Sequence, residues 1–469
     1  YAQHEDIVRI LMNEINNVFS LDSEKFEWKT VHEMSLFQLG WLNMFNTLRS
    51  VKRFINLVCF EYSRVKEKVN RADFLMIIAL KMFYPNVYNS LFNNKALITG
   101  TRRSFSMVVE DIKKVDKDIM DEMLKSFSDE FKNKNMALLY ELFPYIKYIY
   151  ENKHFGEEEQ IEARKEGRIC AVENFDQYFS THLPDNHLSY RDIQNIIMNI
   201  DDQQNFENTL KDLSDKGTLW SFLYRFRDYS KDIKNESIPI IINSFLNISD
   251  YFKTTLKEVN AMPLFSSQLI RYIIFNLLMK IQAEENRFEL IENAIVTSKD
   301  SIYTVIDTVN FIEGNHNNKR VEDDPDVLFH NRLDIDKLIS LAVDRIRNYA
   351  KIGKLKTAKE LKTILLCYKD WEKDHPLYTS NYEGIINSDE DLLNFLRYFI
   401  SGTSHYSDNI LTKKEIMIDI KSLKRITPSG EINEIQKRIE KLLKEKSQLS
   451  DEQKELCELF IESSKEKQK

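Results

Sequence analysis

A chain of 469 residues, 42% hydrophobic and 30% charged, is a folded protein with room for roughly two to four cores, not a disordered one. Its net charge of −8 and pI of about 5.8 argue against nucleic-acid binding through a global positive field and leave only a local basic stripe open. Ten Gly and eight Pro are about 2% each, against usual shares of roughly 7% and 5%, which disfavours a Gly-dependent sheet protein and favours helices joined by short polar turns.

Over residues 3–19, Ile7, Leu11, Ile15 and Val18 recur at helical intervals. Residues 20–47 are mixed and aromatic (Phe26, Trp28, Phe37, Trp41, Phe45) and read as two short helices. From Leu48 to Lys66, behind a Thr47 N-cap, the residues Leu48, Val51, Ile55, Val58, Cys59 and Tyr62 form one apolar face. Residues 72–84, ADFLMIIALKMFY, make a nearly all-apolar helix stopped by Pro85. Weaker helices at 105–127 and a stronger one at 136–152 lead into 152–167, a charged, aperiodic stretch that marks a domain boundary.

A capping box of Ser189 and Asp192 opens the next helix, whose Ile193, Ile196, Ile197 and Ile200 share a face. Helices at about 203–214, 217–229, 237–249, 263–283, 286–298 and 301–313 have the lengths of stacked helical hairpins, with no fixed repeat period. The polar loop 314–331, carrying Gly314 and Pro325, marks a second boundary. Helices near 333–351, 356–371 and 388–401 follow, the last behind a capping box of Ser388 and Asp391, and residues 411–425 read as helical. After Pro428-Ser429-Gly430 come two charged helices, in which Ile432, Ile435, Ile439 and Leu442 hold a heptad step for barely two heptads, too short for a coiled coil. The expected fold is all-α: a lid-like helical bundle over 1–150, a helical array over 151–315, and a C-terminal helical domain with a charged tail over 316–469.

No apolar run approaches the roughly 20 residues of a membrane span, and no signal peptide is evident, so a cytoplasmic protein is expected. Opening at Tyr1 rather than Met, directly in a helical pattern, suggests a fragment of a longer chain. Cys59, Cys170, Cys367 and Cys457 have no Cys-x-x-Cys spacing and read as reduced, buried thiols. A phosphate-binding loop is missing: the only Gly-Lys pair, Gly353-Lys354, has no Gly five residues before it. His182 and His187 flank a Pro-Asp-Asn turn with no third metal ligand, and a cap or turn fits them better. Glu322, Asp323, Asp324 and Asp326 lack the spacing and Gly of a calcium loop and read as a solvated linker. Arg397 and His405 stand too far apart for a ribonuclease-like pair, no Ser-His-Asp or Cys-His grouping is evident, and the many aromatics do not interleave with a basic stripe.

The strongest positive feature is on the helix from Leu48, where Arg49, Lys52, Arg53 and Asn56 fall at i, i+3, i+4 and i+7. Three cations in one stripe repel one another, and a phosphate would relieve that repulsion. A solvated face, or salt bridges to a neighbouring helix, is the alternative reading. The run TLRSVKRFINLVCFEYSRVKEKVNRADFLMIIALKMFYPNVYNSLFNNK, which contains this stripe, resembles the lid segment of KAP-type P-loop NTPases. The segments DKLISLAVDRIRNYAKIGKLKTAKELKTILLCYKDW and SDEDLLNFLRYFISGTS are similar to the helical C-terminal regions of bacterial KAP proteins. The resemblance implies a sensor-2-like role for Arg49 at nucleotide phosphates, with Lys52 and Arg53 nearby and Asn56, Asp73 and Pro85 as structural lid positions. It also implies ATP and Mg²⁺ in a parent protein whose Walker A and B part lies outside this chain, and a setting in bacterial anti-phage defence. No cofactor is expected on this chain alone. The expected partners are that NTPase domain and a protein partner or homo-oligomer. The alternative is a stand-alone α-helical protein-binding scaffold.

Overall fold

The computed structural model describes residues 4–20, 30–39, 41–101, 109–151, 156–179, 188–253, 255–259, 262–320, 324–372, 385–407, 410–427, 431–445 and 449–465. The fold is all-α, with two short strand pairs among the helices. No helix among the described residues is long and apolar enough to cross a membrane. The chain divides into two compact units whose segments alternate along the sequence.

Unit 1 comprises Tyr1–Asn199, Asp215–Tyr229 and Leu256–Leu264. Its first helices are α1 (His4–Ser20), α2 (Val31–Gln38), α3 (Leu48–Val65) and α4 (Arg71–Phe83). Short helices α5 (Pro85–Asn93) and α6 (Lys95–Ile98) follow, then α7 (Val109–Lys125), α8 (Asp129–Leu142) and α9 (Pro144–Glu151). The unit continues with α10 (Glu157–Lys165), α11 (Val172–Phe179) and α12 (Tyr190–Met198). Helix α4 is buried from Ala72 to Leu80, as its nearly continuous apolar run requires. It ends at Phe83 because Pro85, which has no N–H to donate, occupies the first position of α5. Around α4 the rings of Trp41, Phe45 and Phe54 meet at centroid distances of 5.0–6.1 Å.

Unit 2 comprises Ile200–Ser214, Ser230–Thr255 and Phe265–Lys469. Helix α13 (Gln203–Asp215) lies mostly in it, and α14 (Leu219–Phe226) returns the chain to unit 1. Antiparallel-length helices α15 (Ser237–Ile248), α16 (Ser266–Met279), α17 (Glu284–Thr297), α18 (Tyr303–Asn317), α19 (Arg332–Lys351) and α20 (Leu361–Trp371) form its body. Helix α15 packs on α17, and α18 packs on both α19 and α20. The remaining helices are α21 (Asp389–Arg397), α22 (Ile420–Ile426), α23 (Glu431–Lys444) and α24 (Asp451–Lys465).

Several local expectations need correction. The helix expected over 263–283 starts only at Ser266, because Met262–Phe265 forms strand β2, paired with β1 (Leu256–Val259). Gly314, assigned to a loop, lies inside α18, which runs to Asn317. Residues 400–401 and 411–418, read as the end of one helix and part of another, belong instead to two antiparallel strands, β3 (Ile400–Ser407) and β4 (Ile410–Ile418). The strand signal was present in Ile410, Thr412, Ile416 and Ile418, β-branched residues at even spacing, but Lys413-Lys414-Glu415 interrupts it. On α3, Cys59 is exposed and Leu48 is 43% exposed, so neither belongs to the buried face, which Phe54 completes. Cys59 thereby departs from the expectation of four buried thiols; Cys170, Cys367 and Cys457 are buried and free.

Candidate functional site

Helix α3 begins with Thr47 and Ser50 capping each other: the Ser50 N–H donates to Thr47 Oγ1 at 3.1 Å, and the Thr47 N–H donates to Ser50 Oγ at 3.4 Å. This cap fixes the helical phase, so Val51, Phe54, Ile55, Val58, Tyr62 and Val65 face the core. The opposite side presents Arg49, Lys52, Arg53 and Asn56, all exposed. None of the four side chains has a hydrogen-bond or ion-pair partner among the described residues.

The first turn of α3 has no acidic residue and holds Arg49 beside the unsatisfied N–H groups that concentrate positive potential at a helix start, with Lys52 and Arg53 in the turn that follows. Charge of one sign is therefore gathered where a helix tolerates it least. The same face continues through Cys59 to Phe60, which is 56% exposed and has the Arg64 guanidinium 4.0 Å from its ring centroid. Arg64, unlike the first three cations, has a carboxylate nearby, Glu61 at 3.6 Å, and Glu61 also binds Lys81 at 2.8 Å. On this face the cations without a carboxylate partner among the described residues thus lie in the N-terminal half of the helix.

Asp73, matched to the lid pattern, lies in a different setting. It is fully buried on α4, and its Oδ1 lies 2.6 Å from His32 Nε2 on α2. Its Oδ2 accepts the Ile169 N–H at 2.8 Å. The other ring nitrogen of His32, Nδ1, is 2.9 Å from Glu141 Oε1 on α8. With an ionised carboxylate at each nitrogen both donate, which is the imidazolium form. Burial opposes charge on His32, but Asp73 and the hydrogen bonds to Asp73 and Glu141 outweigh it and raise the His32 pKa above its ordinary value. Burial likewise presses Asp73 upward, yet His32, Arg168 and the Ile169 N–H hold its carboxyl below the usual range. Glu141 is lowered in the same way: burial presses it upward, and the His32 hydrogen bond prevails.

The turn after α10 delivers the remaining members of this cluster. Gly167 adopts φ +71°, and the Gly167 and Arg168 N–H groups donate back to Arg164 O at 3.3 Å and Ala163 O at 2.9 Å, the double closure that ends a helix at a left-handed residue. A Cβ at Gly167 would lie 2.4 Å from the Tyr190 ring, so the close approach also needs glycine. Beyond it, Arg168 Nη2 donates to the Glu141 carbonyl at 2.9 Å, and Ile169 reaches Asp73. The Gly167 carbonyl accepts the Tyr178 hydroxyl at 2.7 Å.

The structure therefore separates the predicted lid residues. Arg49, Lys52, Arg53 and Asn56 share an open face, Pro85 starts α5 at the surface, and Asp73 anchors the interior. His32, Glu141 and Arg168 had not been singled out. The available signal was Asp73 itself, because a carboxylate inside ADFLMIIALKMFY needs a buried partner.

Among the other candidates, Asp324 accepts the Arg320 and Asp326 N–H groups at 2.9 and 3.1 Å and so closes its own turn, while Glu322 and Asp323 lie outside the described residues. No group of three or more potential metal ligands occurs among the described residues. Arg397 pairs with Glu452 at 3.2 Å. The His405 side chain, His182, His187, Phe26, Trp28, residues 152–155 of the first expected boundary, residues 321–323 of the second and Pro428-Ser429-Gly430 lie outside the described residues. Compared with known proteins, the chain matches no family model, no curated protein and no solved structure.

Proposed function

We propose that this chain is the helical lid, sensor and assembly region of a KAP-like ATPase, coupling the nucleotide state of a P-loop domain to contacts with a partner or a second copy. One observation carries the reading: three exposed cations on the first two turns of α3 have no counter-charge among the described residues. Guanidinium groups suit phosphate oxygens, which they grip through paired N–H donors. Arg49, Lys52 and Arg53 fit the phosphate end of a nucleotide, while ATP itself and its Mg²⁺ would be held by the P-loop domain. Exposed Phe60 on the same face offers an apolar contact beside the charges. The setting in bacterial anti-phage defence rests on the family resemblance alone.

The test is ATP turnover and assembly by the polypeptide encoded by the native gene, with and without Arg49→Ala. We expect turnover to fall by about an order of magnitude or more, as when a phosphate-facing arginine is removed. Unchanged turnover together with unchanged assembly would rule out the sensor role. An open reading frame with no GxxxxGK[ST] motif upstream would leave the alternative, a helical protein-binding scaffold.

A further inference from the structure

Unit 2 contains a cavity of about 540 Å³ between the end of α15, the start of α18 and the link from α19 to α20. Its size lies within the range of roughly 300–1,000 Å³ typical of small-molecule sites. The link is shaped by Gly353, at φ +70°, which ends α19 with the Lys354 N–H donating to Tyr349 O at 3.0 Å. That turn brings Lys354 and Lys359 to the cavity wall, and α13 contributes Lys211. Of the neighbouring lysines, Lys356 pairs with Asp391 at 3.4 Å and Lys362 with Asp419 at 2.9 Å. The Lys211 and Lys354 ammonium groups have no such partner among the described residues.

Two carboxylates also line the cavity, and they are not equivalent. Asp250 accepts the Ile302 and Tyr303 N–H groups at 2.7 Å each and both the N–H and hydroxyl of Thr304 at 3.0 and 2.8 Å, so its charge is committed to the N-terminus of α18. Asp300 is exposed and opposes the lysines at the cavity wall, while the charges of Asp250 and of Glu360 act on Lys359. Lys359 donates to the Phe252 carbonyl, which holds its ammonium at the wall. The remaining lining is Ile248, Ile302 and Ala358, the rings of Tyr251 and Tyr349, and the polar Thr357, and Tyr251 is 58% exposed.

We propose that this cavity binds a small phosphomonoester with an organic, ring-bearing body, its phosphate toward Lys211, Lys354 and Lys359 and its ring toward Tyr251 and Tyr349. A phosphate ester carries a charge of about −1.5 to −2 at neutral pH and three strong acceptor oxygens, so it can engage Lys211, Lys354 and Lys359 together where a single carboxylate could not. The volume exceeds what an inorganic anion fills, and the aromatic wall gives the surplus a use. This site is in unit 2 and does not depend on the role proposed for α3.

Binding of phenyl phosphate, inorganic phosphate and benzoate is measured by phosphorus and proton NMR line broadening and by titration calorimetry. The proteins compared are the intact chain, Lys354→Ala, Lys211→Ala, Lys354→Arg and Arg49→Ala. The expected order of affinity is phenyl phosphate above inorganic phosphate, with benzoate weakest. Each alanine variant lowers phenyl phosphate affinity about tenfold, the loss of one charge-assisted contact, while Lys354→Arg and Arg49→Ala leave it within about threefold. Lys211 and Lys354 are not packed in the core, so their variants fold even if Lys359→Met does not. Absence of phenyl phosphate binding, equal binding of benzoate, or binding indifferent to both alanine variants overturns the proposal.

Discussion

Helices α3 and α4 are neighbours in sequence and pack on each other in unit 1, yet they treat charge in opposite ways. On α3, three cations stand in water without partners; on α4, one carboxylate is fully buried among two hydrogen-bond donors. A buried charge is tolerated only when its partners are complete, so removing one of them should be severe. An exposed unpaired charge contributes little to folding, so its presence calls for a different reason. The contrast separates what holds this unit together from what it offers to another molecule.

The largest effect should come from Asp73→Ala. It strands the imidazolium of His32 with Glu141 alone and leaves the Ile169 N–H unsatisfied. Removing one member of a buried pair typically costs about 3–5 kcal/mol, and a loss of that size in the unfolding free energy from urea denaturation is expected. If Asp73→Ala unfolds within about 0.5 kcal/mol of the parent, the cluster is not what closes the unit and the contrast with α3 fails.

A smaller effect, with a defined sign, follows from pH. Folding raises the His32 pKa above 6.5, so its stabilising contribution is complete below 6.5 and is lost as pH rises through the folded value. Folding lowers Asp73 and Glu141 below 3.8 and 4.5, so their contributions are complete above those values and are lost as pH falls through the folded ones. The three overlap between about pH 4.5 and pH 6.5. Chemical denaturation should therefore show higher stability at about pH 5.5 than at about pH 8.5, and the difference should shrink in His32→Gln. An equal slope in parent and variant would mean that other groups set the pH dependence.

How far these features were legible differs for a physical reason. The α3 stripe repeats within one helix at i, i+3, i+4 and i+7, and the all-α class followed from sparse Gly and Pro with regular apolar spacing. The cluster around Asp73 joins residues 41, 96 and 109 positions apart, separations that no local period encodes. The β3–β4 hairpin was misread for a third reason: its even spacing was too short and too charged to outweigh a helical background. Local periodicity thus revealed both the cation stripe and the apolar faces of α3 and α4, and missed the partners that Asp73 finds far along the chain.

The smallest predicted effect is the most diagnostic for α3. Arg49 lies in the first turn, where the helix dipole disfavours cations and favours carboxylates, and Arg53 lies one turn further in, where the effect is weaker. If the helix served stability alone, acidic residues would be the better choice there. Arg49→Glu should stabilise the chain by about 0.3–1 kcal/mol at low ionic strength and Arg53→Glu by less, with the gain fading in high salt as the dipole is screened. Thermal unfolding of both variants across a salt series measures this. A gain in stability means that the cations are kept against the interest of the fold, as a surface meant for an anion would require. A loss of stability would mean that Arg49 and Arg53 already serve the fold, and the unpaired stripe would then carry no argument for a phosphate.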